Sequence, residues 1–178
     1  MTDQPTVMRA PLTLEYPFTR TTGPVVGAFL TGLREGVVLG IKRADGTVLV
    51  PPTEYDPITS DPLHEMVEVG QTGTVVTWTW NAEVRPQQPF DQPFAWALIQ
   101  LDGADTPMLH GVLVDSEDQM SSGMRVSLRW REEREGHIGD IAGFVPNDKD
   151  GFVPNEEAGF VPNEEHGFVP NDRDRGSR

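Results

Sequence analysis

The chain has 178 residues, 14 basic against 28 acidic side chains, and no cysteine. That length suits one compact domain with an appendage, and 37% hydrophobic residues suffice to build a core. A formal charge of −14 argues against a nucleic-acid backbone as ligand, and the missing cysteines remove disulfides, thiolate catalysis and thiolate-bound metal.

Residues 1–22 read as an extended arm. Met1-Thr2-Asp3-Gln4-Pro5 lacks the basic and apolar regions of a signal peptide, and no apolar run approaches the roughly 20 residues a bilayer crossing needs. A cytoplasmic protein with no membrane contact is expected. Over 24–35, Val25, Val26, Phe29, Leu30 and Leu33 share one helical face; Pro24 suits the first turn and Thr22 is placed to cap it. Val37-Val38-Leu39-Gly40-Ile41 and Thr47-Val48-Leu49-Val50 then flank Ala44-Asp45-Gly46, a hairpin signal. Pro51, Pro52 and Pro57 take the chain out of the sheet, since proline has no N–H for a ladder.

From about Val67 the pattern predicts five strands. In 74–80, alternation puts Val76, Trp78 and Trp80 on one face and Val75, Thr77 and Thr79 on the other. Residues 94–101 are apolar on nearly both faces, with Trp96 sharing a face with Phe94 and Leu98. Residues 108–114 form the third strand, and 115–122 a short helix or loop. In the fourth strand Met124, Val126, Leu128 and Trp130 face opposite to Arg125, Ser127, Arg129 and Arg131. Residues 138–145 complete the set. Five strands with a helical connection between the third and fourth is the order of an OB-fold.

Gly143-Phe144-Val145-Pro146-Asn147 recurs from Gly151, Gly159 and Gly167, an eight-residue period. One Phe and one Val per period cannot offset the entropy of ordering the chain, so 148–178 reads as a disordered tail of net charge −4. The first copy continues the last strand, so Phe144 needs a docking place on the barrel or on a partner.

The order of motifs over 29–36, 42–57, 74–80, 94–106, 123–130 and 138–146 resembles the zinc-ribbon/OB-fold family of proteins associated with acyl-CoA metabolism. The resemblance implies a mainly β chain: a helix and rubredoxin-like ribbon hairpin over 23–66, an OB barrel over 67–147, then the tail. Members of that family pair with thiolase-fold enzymes: thiolases, acyltransferases and the lipid-transfer-like aldolases that cleave steroid side chains as CoA thioesters. The ribbon of the family normally carries four cysteines, and those places hold Arg43, Gly46, Asp56 and Thr59 here. Arginine and glycine cannot ligate zinc, so a metal-free ribbon is expected, held by the Asp45-Gly46 turn, the Val48 and Val50 pairing and the stiff Pro51-Pro52.

Candidate chemistry in the residues themselves is thin. His64-Glu65-Met66-Val67-Glu68 resembles a zincin motif without its second histidine, and runs into a strand. His110 has strand parity with Met108 and Val112 and reads as a buried, hydrogen-bonded histidine rather than a base. His137 lies in a glycine-rich turn and His166 in the tail, both read as solvated. Asp102 and Asp105 bracket a turn, where aspartate ordinarily bonds nearby backbone. The four tryptophans read as aromatic core rather than as a base-stacking platform. The expected function is a non-catalytic accessory subunit that binds and stabilises a thiolase-fold enzyme acting on acyl-CoA thioesters, in steroid or lipid degradation. It would form a hetero-oligomer, hold no cofactor of its own and leave the CoA thioester to the partner. Phe29, Leu33, Pro52, Tyr55 and Phe144 are the expected partner contacts. Two alternatives stand beside this reading: a stand-alone binder of single-stranded nucleic acid, and a small acyl-CoA thioesterase.

Overall fold

The computed structural model describes residue 12 and residues 21–85 and 88–147. The repeat tail expected at 148–178 and nearly all of the arm expected at 1–22 lie outside them. Among the described residues the order is α1 (Pro24–Glu35), β1 (Leu39–Lys42), β2 (Val48–Leu49), β3 (Glu65–Glu68), β4 (Thr72–Asn81), β5 (Phe94–Leu101), β6 (Met108–Val112), a 3-10 turn (Glu117–Gln119), β7 (Arg125–Trp130), a second 3-10 turn (Ile138–Asp140) and β8 (Ile141–Pro146). No helix among them is long and apolar enough to cross a membrane.

α1 begins at Pro24 as the sequence predicts, but Thr22 does not cap it. Gly23 holds the capping position, and the free amides of the first turn are satisfied from a distance: Val25 N–H and Val26 N–H donate to Glu54 Oε1 at 3.0 and 3.2 Å. A carboxylate placed there also opposes the positive end of the helix dipole. Gly23 is required twice over, by its positive φ of 78° and because a Cβ would stand 2.5 Å from that carboxylate oxygen. The helix stops at Gly36, left-handed at φ 78°, with Val37 N–H bonded back to Gly32 O. Its last carbonyls are taken by the barrel: Gln71 Nε2 donates to Gly36 O and Arg134 Nε to Arg34 O.

The predicted hairpin is β1–β2, with Ile41 opposite Leu49. β3, expected only as the approach to the barrel, instead pairs antiparallel with β1 and makes the ribbon a three-stranded sheet in the order β2-β1-β3. The place between 66 and 67 therefore falls inside a ribbon strand. The other five strands close a barrel in the order β4-β5-β6-β8-β7, with β6–β8 the parallel contact. This is the OB-fold expected.

One strand-face reading changes, and so does the expected core placement of Trp96. β4 carries a bulge between Val75 and Thr77, so Val75 is fully buried while Val76 turns out to solvent, 47% exposed. The extra residue shifts parity by one, which lets Trp78 and Trp80 still pack on the core half-buried. In β5 the inner face is Ala95, Ala97, Ile99 and Leu101. Trp96 lies on the outer face, half-buried, its ring edge-on to Phe94 at 5.0 Å. Phe94 is buried on that face because Phe90, from the β4–β5 loop, covers it edge-on at 4.7 Å. Phe90 in turn rests on Gly111 and Gly143, where a Cβ would meet its ring at 2.1 and 3.1 Å. The last strand also begins later than expected, because residues 138–140 form a turn capped by His137 and Asp140 reciprocally.

One core joins helix and barrel. Phe29, Leu33, Val38 and Val50 pack with Val75, Val112 and Phe144, while Val25, Ile41, Leu49 and Leu63 form a smaller cluster under the ribbon. The outer edge of β2 is fastened to the β5–β6 turn: Val48 N–H donates to Asp105 Oδ2, Asp105 N–H to Val48 O, and Val50 N–H to Thr106 Oγ1, each at 2.8 Å. That edge is thereby closed to further strands.

Candidate functional site

Two tight turns of the ribbon face each other. In the first, Gly46 N–H donates to Arg43 O and Arg43 N–H to Thr47 O. In the second, Ser60 N–H donates to Asp56 O and Asp56 N–H to Asp61 O. Asp56 Oδ1 accepts the amides of Ile58 and Thr59 at 2.8 and 3.1 Å. The Arg43 guanidinium spans the gap as a fork, Nε to Asp56 Oδ2 at 2.8 Å and Nη2 to Asp56 Oδ1 at 3.2 Å. Its Nη1 reaches Asp45 Oδ2 at 2.6 Å and Thr47 Oγ1 at 3.1 Å. The hydrogen bond from Arg43, then the Ile58 amide, hold the Asp56 carboxyl at about 2, well below its ordinary value.

A structural zinc does not fit these residues. The four places that the resemblance to a zinc ribbon gives to cysteine hold a cation, a glycine, one carboxylate already spent on that cation, and a threonine. Among the described residues no three of His, Cys, Asp and Glu converge as a metal-ligand group.

At the second turn two large apolar side chains face solvent. Tyr55 is 62% and Ile58 76% exposed, on a stretch pinned by the Asp56 side chain, by the Tyr55–Pro62 bridge and by Leu63 N–H bonded to Glu54 O. A loop held this firmly that still exposes an aromatic and a branched aliphatic side chain has the character of a contact surface. A second exposed group lies on the outer barrel wall, where Leu98 of β5 is flanked by Leu109 of β6, 61% exposed, and by the bulged Val76.

Of the expected contact residues, Tyr55 alone is exposed. Phe29, Leu33 and Phe144 are buried in this chain's own core, and Pro52 is buried as well. Phe29 and Leu33 of α1 are covered by the barrel, and Phe144 docks inside it, edge-on to His110 at 5.5 Å and opposite Val112. Ile58 escaped the sequence reading because it sits alone among Pro, Thr and Asp. An isolated isoleucine in a polar loop was the available signal.

The titratable candidates serve structure. His110 is buried, its Nδ1 accepts Gly111 N–H at 2.9 Å, and burial pushes the imidazole down to about 4. It is neutral at pH 7 and largely removed from solvent. Asp105 bonds backbone, but on β2 rather than in its own turn. Asp102 forms a two-pronged pair with Arg125 and accepts from Thr72 Oγ1, and those partners, Arg125 first, lower it to about 2. His137 accepts Gly139 N–H. Trp130 donates Nε1–H to Gln71 Oε1 at 2.9 Å while its ring packs on the core.

Residues 66–131 match the family model of the C-terminal OB-fold domain of ChsH2. Comparison with curated protein sequences finds no match. Among solved structures the chain is similar to one described as an Ltp2-ChsH2(DUF35) aldolase, with TM-score 0.51 and 22% identity over 71% of this chain and 98% of that one. It is also similar to a DUF35-family protein of unknown function from Sulfolobus solfataricus, with TM-score 0.49 and 21% identity over 60% of this chain and 78% of that one. The structural likenesses are likenesses of fold.

Proposed function

We propose that the chain is a non-catalytic accessory subunit that binds and stabilises an enzyme acting on acyl-CoA thioesters, a thiolase-fold protein of the aldolase kind. The match of the barrel to the OB-fold domain of ChsH2 carries this reading, and a structure of similar fold bears the name of an Ltp2-ChsH2 aldolase. The side chains give it chemical support. His110 is buried, Asp102 and Asp105 are engaged, and Trp78, Trp80 and Trp130 pack on the core. In this reading nucleophile, base and CoA phosphates belong to the partner, because a body with a net acid excess is a poor host for phosphates. The partner seats on the ordered ribbon loop at Tyr55 and Ile58 rather than on the helix.

Affinity purification of the tagged chain from its native cell tests this. The expected result is a hetero-oligomer by light scattering whose second subunit is identified by mass spectrometry as a thiolase-fold enzyme. Tyr55→Ala combined with Ile58→Asp should weaken that complex by about tenfold or more, as loss of an interface anchor does, with the thermal midpoint unchanged. A chain isolated alone that hydrolyses acyl-CoA, with activity lost in His110→Ala, would overturn the proposal.

A further inference from the structure

The ribbon turns pose a mechanical problem independent of any partner. Residues 43–47 and 56–61 are two loops separated along the chain, lying beyond the small cluster of Val25, Ile41, Leu49 and Leu63. Two thin turns bury too little apolar surface to hold each other, which is why small loop-rich modules rely on metals or disulfides. This chain has no cysteine. We infer that Arg43 replaces the metal: its guanidinium is the resident cation of the ribbon, and Asp56, Asp45 and Thr47 are its ligand shell.

The geometry follows the logic of a metal knuckle with the charges redistributed. In a metal site an anionic ligand at the head of each turn is shared between the cation and the backbone amides of its own turn. Asp56 does both here, giving Oδ1 to the Ile58 and Thr59 amides and both oxygens to Arg43. Asp45 repeats the pattern in the first turn, with Oδ1 accepting Thr47 N–H at 3.0 Å and Oδ2 accepting from Arg43. Each carboxylate therefore fastens its own turn and the cation together. A guanidinium can fill the central role because it is always charged and directs its donors in one plane, so it fixes angles where an ammonium would fix only a distance. The side chains at the centre are largely removed from water, 12% exposed for Arg43 and 6% for Asp56, while Asp45 at the rim is 55% exposed. The shielded Arg43–Asp56 contact is the cross-link, and Asp45 steers the fork. A further consequence is that the ribbon needs no metal supply and is indifferent to oxidation.

The experiment uses the full chain, purified from zinc-supplemented culture. Expected are less than one-tenth equivalent of zinc by elemental analysis and no shift of the thermal midpoint in EDTA. Arg43→Ala and Asp56→Ala should each speed hydrogen exchange of the Gly46, Ile58, Thr59 and Ser60 amides by tenfold or more, with the barrel strands keeping their protection. At Gly46 and Ser60, whose amides bond backbone carbonyls rather than either altered side chain, the double variant should be no faster than the worse single one, because the Arg43–Asp56 contact is lost in all three. Arg43→Lys, which keeps the charge and loses the fork, covers the case in which the alanine variants do not fold, and should exchange faster than wild type at the same amides. One zinc per chain with an EDTA-sensitive midpoint would overturn the inference, as would wild-type exchange at those amides in Arg43→Ala or Arg43→Lys.

Discussion

Gly111→Ala should destabilise this protein through Phe90. Gly111 lies in β6, needs no positive φ, and in open surroundings alanine would be the better strand residue by about 0.5–1 kcal/mol. The obstacle is steric. Its Cβ would stand 2.1 Å from Phe90 Cε2 and 2.7 Å from Cζ, and Phe90 is only 3% exposed. The neighbour that must yield is a whole ring, lodged between Gly111, Gly143 and Phe94. Expelling it forfeits the burial of one phenylalanine, roughly 1.5–3 kcal/mol, so the net cost after the backbone gain is about 1–2 kcal/mol. Phe90→Ala alone should cost about 3 kcal/mol or more, the usual toll of truncating a buried aromatic. With the ring gone the clash is gone, and adding Gly111→Ala to Phe90→Ala should then be neutral or stabilising. Urea unfolding of the wild type, both single variants and the double, at constant m-value, gives the coupling as about 2 kcal/mol with a change of sign. Additivity within about 0.5 kcal/mol would refute the steric account and mean that Phe90 does not rest on Gly111 in solution.

Glu54→Ala should cost about 1 kcal/mol in the same assay by stripping the α1 amides of their acceptor, whereas Glu54→Gln, which keeps an oxygen in place, should recover much of it. His110 gives a pH signature. Its imidazole titrates at about 4 in the fold against an ordinary 6.5, so below pH 6.5 the unfolded chain takes up a proton the folded chain refuses. Stability should therefore fall on acidification from about 6.5 to about 4, and that part of the slope should vanish in a His110→Leu variant that still folds. The carboxylates act lower. Asp102 and Asp56 contribute above their ordinary 3.8 and lose that contribution as pH falls towards about 2, so a His110 variant with an unchanged slope above pH 4 would show that the imidazole is not enclosed.

How much was legible in the sequence depended on range. Pro24 at the first helical turn, the Asp45-Gly46 reversal and the period of residues 124–130 are local signals, and the helix, the hairpin and the barrel strand appear where they point. The bulge at Val76 was not legible, because alternation through 74–80 reads the same with or without an extra residue. Contacts made across the chain were hidden for a different reason. Glu54 reaches α1 across 29 positions and Asp105 reaches β2 across 57, and in the sequence both are simply acidic residues in proline- or glycine-rich loops. At the ribbon turns the absence of cysteine was visible, but the replacement was not: nothing local relates Arg43 to Asp56, 13 residues on. Tyr55, expected as a partner contact, is exposed, while the exposed Ile58 beside it drew no expectation. The helix stripe misled because its cover, the barrel, is built from residues far downstream.

The seam between β2 and the β5–β6 turn bears on how this protein can be cut. Both partners of each stitch are needed: Val48 and Val50 on one side, Asp105 and Thr106 on the other. A barrel expressed from residue 67 onward would lose half of β3 and leave Asp105 and Thr106 with nothing to hold. It would also uncover the core faces that Phe29, Leu33, Val38 and Val50 fill. The helix, ribbon and barrel thus share one core, and a swap or truncation that divides residues 23–147 is expected to lose stability.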